Sequence, residues 1–108
     1  MKLYLLTPKN EILNRQGNDK SEVDSECYNP WRPWYDKVFG MIVAADDEER
    51  ARLIASKNKG QEENFEYDDD FNEKVIFNPW LDSDFTNCQE LDPNHFEEGL
   101  ILRDFRSA

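Results

Sequence analysis

The stretch Tyr35–Lys57, YDKVFGMIVAADDEERARLIASK, decides the fold. Val38 to Ala45 is a nearly unbroken apolar run of strand length. Its apolar residues fall on both alternating sets, which predicts an interior strand covered on both faces. Asp46 follows as the predicted N-cap. Glu49, three residues on, completes an aspartate variant of the capping box, and acids in a first turn complement the helix dipole. The spacing predicts a helix of about three turns from Asp47, with Ala51, Ile54 and Ala55 on one face and Arg50 and Arg52 elsewhere. Gly60 is the predicted stop.

Outward from this unit, Lys2–Thr7 alternates as a first strand ended by Pro8. Residues 9–34 lose periodicity and read as a loop insertion, with one possible helical turn at Glu11–Arg15. It closes with Asn29-Pro30-Trp31-Arg32-Pro33-Trp34-Tyr35. Behind the helix, 58–73 is an acidic loop in which Phe65, Tyr67 and Phe71 stand among carboxylates. Val75–Phe77 reads as a brief strand, Asp84–Leu91 as a further one and Gly99–Phe105 as the last. The expected fold is α+β in a single domain over residues 1–108. A small, largely antiparallel sheet of about four strands in the order ββαββ carries one short helix and long acidic and aromatic loops.

The formal charge is −11 from 24 acids and 13 bases, and its distribution is uneven. Thirteen acids lie between Gln61 and Glu98 against Lys74 as the one base, a local charge of −12, so the rest of the chain is close to neutral. Such a field repels phosphate backbones, which speaks against direct nucleic-acid binding, and attracts a basic protein surface in a salt-dependent way. The same acids also serve solubility, and that plainer reading stays open. No apolar run approaches membrane-spanning length. The residues after Met1 lack a secretory core and a small-residue cleavage site, so the expected compartment is cytoplasmic and Cys27 and Cys88 are expected as free thiols.

Catalytic and metal signatures are weak. His95 is the single histidine and neither cysteine lies near it in a known pattern. Asp68–Asn72 supplies oxygens at the first positions of a calcium loop, but Glu73 stands where glycine is needed and Pro79 where the bidentate glutamate belongs. Four scattered glycines offer no phosphate cradle. We therefore expect no catalytic residue, no metal and no cofactor. Asn-Pro-Trp occurs at 29–31 and again at 78–80, although the flanks do not match. Trp31, Trp34 and Trp80 admit two readings, as covers for the core or as anchors for a partner.

Lys2–Leu6, Tyr35-Asp36, Met41–Ala45, Asp46–Arg52 and Gly99–Phe105 together resemble a widespread set of small acidic proteins of uncharacterised role encoded by bacteriophages and prophages. The resemblance covers about half the chain, all of it scaffold, and departs between Pro8 and Trp34 and in the longer acidic loop. It implies an accessory protein acting in the cytoplasm of a bacterial host and carries over no catalytic residue. With the charge pattern, it leads to an expected inhibitor of a host defence nucleoprotein, of anti-CRISPR or anti-restriction type. The acidic surface would mimic nucleic acid against the basic surface of a nucleic-acid-handling protein. The expected contact residues are Glu62, Glu63, Glu66, Tyr67, Asp68, Asp69, Asp70, Glu73, Trp80, Asp82 and Asp84, with Trp31 and Trp34. Two other readings are a nucleotide-signal binder that stacks its ligand on the tryptophans, and a virion or assembly accessory.

Overall fold

A computed structural model describes residues 1–17, 26–62, 64–67, 69–91 and 98–106. The chain is a small α+β domain in which a helix packs on an antiparallel sheet. Its strands are β1 (Lys2–Pro8), β2 (Lys37–Ala45), β3 (Asn64–Tyr67), β4 (Glu73–Phe77), β5 (Thr86–Glu90) and β6 (Gly99–Arg106). The helices are α1 (Asn10–Leu13) and α2 (Glu48–Lys57), and Pro79–Leu81 forms a 3-10 turn. The main sheet has the order β5-β1-β2-β6, every neighbouring pair antiparallel, and β3 and β4 pair separately with each other. The described elements thus run longer than ββαββ. The difference lies mainly in the acidic segment: Asn64–Tyr67, expected as loop, alternates with aromatic positions and finds a strand partner in Glu73–Phe77.

The apolar run of β2 lies between β1 and β6. Tyr4, Leu6 and Pro8 of β1 face the helix together with Met41, Val43 and Ala45 of β2. On the other face Ala44 is buried, whereas Leu3, Leu5 and Ile42 are only half-buried, so the second covering expected for this strand is partial. Opposite the first face sits α2, whose Ala51 and Ala55 are fully buried. Two alanines let the helix backbone approach the sheet closely.

The cap of α2 lies one residue later than expected. Asp47, with extended φ and ψ of −150° and 172°, accepts the Arg50 N–H on Oδ1 at 2.7 Å, and Glu48 and Glu49 occupy the first turn. At the other end Asn58 donates its side-chain amide to Ile54 O at 2.9 Å. Arg103 of β6 donates to Asn58 O and Lys59 O, placing a cation against the helix's negative end.

The 9–34 segment also departs from a plain insertion. Ile12 of α1, Tyr28 and Trp31 are all buried, and Asn29, 1 % exposed, binds Leu13 O and Arg15 O through its side-chain amide at 3.2 Å. Short anchors of this kind leave no periodicity to read, yet they fold the described parts of the segment onto the core.

Arg52 was expected away from the apolar face, but it lies buried on the row beside it. Its guanidinium donates to Trp80 O at 3.1 Å, Thr86 Oγ1 at 2.8 Å and Thr86 O at 3.1 Å. One side chain of α2 thereby fixes both ends of the segment linking the 3-10 turn to β5. Removing it leaves two buried carbonyls without a donor. Arg52→Ala is expected to cost about 2–4 kcal/mol by urea denaturation, with Arg52→Lys recovering only part because an ammonium cannot serve all three acceptors in that geometry.

Candidate interaction surface

The two Asn-Pro-Trp copies adopt the same local device. Asn29 Oδ1 accepts the Trp31 N–H at 2.9 Å and Asn78 Oδ1 accepts the Trp80 N–H at 3.0 Å, while each asparagine amide donates to the end of a helix, Leu13 O for Asn29 and Ser56 O for Asn78. Proline between them presets the turn. Both indoles consequently point inward and meet edge to face, centroids 5.7 Å apart at 87°. Trp31 and Trp80 are therefore core residues, 1 % and 0 % exposed. The partner-anchor reading of these two is corrected, and a ligand-stacking platform built on them is lost.

Glu62 needs the same correction. It was expected on a solvated acidic surface but is 1 % exposed. Its carboxylate accepts N–H bonds from Gly60 at 2.9 and 3.0 Å, from Val38 at 3.2 Å and from the Trp80 indole at 2.7 Å. Val38 lies beyond the last β1 pairing, Leu6 with Met41, so among the described residues this side of its backbone has no strand partner. Glu62 takes its N–H, and Trp31 Nε1 donates to its carbonyl at 2.7 Å. The carboxylate thus substitutes for a missing length of sheet. In Glu62→Gln the carboxamide would turn an NH2 group toward N–H donors; the expected loss is about 2–4 kcal/mol in a urea melt, against less than about 0.5 kcal/mol for Asp69→Asn.

The remaining acids separate by location. Asp69 and Asp70 are exposed in the turn joining β3 to β4, followed by Phe71, which is 84 % exposed and holds a left-handed φ of 63°. Asp84 is exposed and Asp82 half-buried in the turn after the 3-10 segment, beside Leu81, 54 % exposed. Glu66 and Tyr67 are placed as positions in β3 and Glu73 in β4, while Glu63 and Asp68 lie outside the described residues, as does His95. Trp34, 59 % exposed, stands edge to face with Tyr35 and is the one expected tryptophan anchor at the surface.

The structure adds residues that sequence reasoning missed. Phe77 packs edge to face on Phe85, centroids 4.8 Å apart, and on Tyr28 at 6.1 Å, and the Arg15 guanidinium lies 5.4 Å over the Phe85 ring. An open groove of about 390 Å³ adjoins this cluster, lined by Phe77, Asn78, Leu81, Asp82 and Ser83. The available signal was the second Asn-Pro-Trp: a turn that buries its tryptophan turns the next side chain, Leu81, outward.

Among the described residues no His, Cys, Asp and Glu side chains gather as a metal-ligand set, and no described helix is long and apolar enough to cross a membrane. Cys27 and Cys88 are free thiols. Burial pushes the Cys88 thiol up to about 11, only partly opposed by Arg52, so it stays protonated and a poor nucleophile at neutral pH. A scan against protein-family models and searches of curated proteins and of solved structures find no match to this chain. Iodoacetamide at pH 8 is expected to alkylate exposed Cys27 well before Cys88, read by peptide mass spectrometry. Because the folded thiol ionises above its ordinary value of 9.0, the stability Cys88 contributes is complete below pH 9 and is lost as pH rises toward about 11. Urea midpoints should fall over that window, less so in Cys88→Ala.

Proposed function

We propose that this chain is a non-enzymatic interaction protein that binds the basic surface of a nucleic-acid-handling protein through acidic turns bearing exposed apolar side chains. The observation that carries the reading is a coincidence at two turns. Asp69-Asp70-Phe71 and Leu81-Asp82-Ser83-Asp84 each set a strongly exposed large apolar residue beside carboxylates. Solubility calls for the acids but not for Phe71 or Leu81. Phe71 also holds a backbone conformation that disfavours a bulky residue by about 1–2 kcal/mol. Carboxylates matched to a Lys/Arg-lined groove steer the encounter, and the apolar side chains supply contact area once water is expelled.

The finer proposal is inhibition of a bacterial defence nucleoprotein by occupancy of its nucleic-acid groove, as the phage-type resemblance implies. Glu62, Trp31 and Trp80 are withdrawn from the expected contact set; of its members with described side chains Asp69, Asp70, Asp82, Asp84 and Trp34 stay, and the exposed Phe71 and Leu81 join them. The test is capture from bacterial lysate on the immobilised chain. We expect a nucleic-acid-binding protein that duplex DNA displaces and that 0.3 M salt weakens. The Asp69→Lys/Asp70→Lys variant should lose about tenfold in affinity while its circular dichroism is unchanged. Undiminished capture by that variant, or partners indifferent to DNA, would overturn the reading.

A further inference from the structure

We infer that the groove beside the 3-10 turn is a docking site for an arginine side chain with an apolar neighbour, presented on an extended segment of a partner protein. The inference deepens the interaction reading above and rests on it for the existence of a partner, but it concerns a different place and a different kind of contact from the hairpin turn.

The groove combines three surfaces that an arginine needs. Its aromatic side is Phe77, half-buried and braced edge to face by Phe85 and Tyr28. Leu81 provides an exposed aliphatic wall for the neighbouring residue. Asp82 lines the polar side. Its Oδ1 accepts the Asp84 N–H at 2.8 Å, and among the described residues nothing else bonds the carboxylate. Among the described residues no lysine or arginine lines the groove, and Asp84 is exposed nearby. Within the molecule, Arg15 already stacks its guanidinium over Phe85, which shows that this aromatic cluster accepts a cation on a ring face.

Rigidity is the second argument. The segment between Trp80 and Thr86 is held at both ends by Arg52, at its start by the Asn78 cap, and across its middle by Phe85 and Thr86 N–H bonds to Asp82 O, both 3.1 Å. Thr86 Oγ1 additionally donates to Pro79 O at 2.8 Å. A groove built on a segment bonded this densely loses little conformational freedom when filled. Leu81 is therefore presented outward by a preformed turn. A flexible loop would have to be ordered first.

The probes are two blocked peptides, acetyl-Ala-Leu-Arg-Leu-Ala-amide and its Arg→Gln counterpart, titrated into the 15N-labelled full chain at 0.15 M salt. We expect the arginine peptide to shift the amides of Phe77, Asn78, Leu81, Asp82 and Ser83 saturably. The glutamine peptide should bind at least about fivefold more weakly, and Leu81→Ser, an exposed position that leaves the fold intact, should weaken the arginine peptide similarly. Absence of shifts in the groove, shifts confined to Asp69–Phe71, or equal binding of both peptides would overturn the inference. Loss of lysate capture in Asp69→Lys/Asp70→Lys without peptide binding in the groove would leave the broader reading standing and remove this one. Peptide binding in the groove with capture unaffected by charge reversal would do the reverse.

Discussion

The carboxylate of Glu62 is the junction on which the rest of the molecule depends. It joins the segment after α2 (Gly60), the start of β2 (Val38) and the 3-10 turn (Trp80), three places far apart in sequence. A carboxylate enters a protein interior at high cost unless its lone pairs are occupied, and here N–H groups from all three places converge on it. The Trp31 indole completes the arrangement by taking the carbonyl of the same Val38. Where β1 ends and β2 continues, side chains therefore do what a neighbouring strand would otherwise do.

Trp80 is held from two sides by opposite charges. Its indole N–H reaches Glu62 and its carbonyl receives Arg52, so one buried anion and one buried cation orient the same residue without touching each other. The consequence for function is positional. With Trp80 locked inward and Thr86 tied to the same guanidinium, the intervening residues have few conformations left, and Leu81, Asp82 and Asp84 are displayed by a stiff turn.

The acids of this chain consequently belong to different physical classes. Glu62 is structural, Asp47 caps α2, and Glu98 pairs with Arg50, whose hydrogen bonds hold its carboxyl below the usual range. Asp69, Asp70 and Asp84 are exposed at turns, where a partner can reach them. The net charge of the chain therefore overstates the charge available for recognition.

Much of the scaffold could be read from Tyr35–Lys57, because an unbroken apolar run and a capped amphipathic segment are local properties: β2 and α2 follow from them, with the cap displaced by one residue. The repeated Asn-Pro-Trp was likewise visible, and so was the acidic bias of 61–98. Tertiary structure decided which acids and which tryptophans are buried. Glu62 and Asp69 look alike in a row of carboxylates, and only the convergence of Gly60, Val38 and Trp80 on one of them separates the two. Arg52 looks like a solvated helix residue until β5 and the 3-10 turn bring three acceptors to it. Sequence carries the propensity of a residue and its near neighbours, whereas burial of a charge depends on groups 18 to 34 residues away, which no local pattern records.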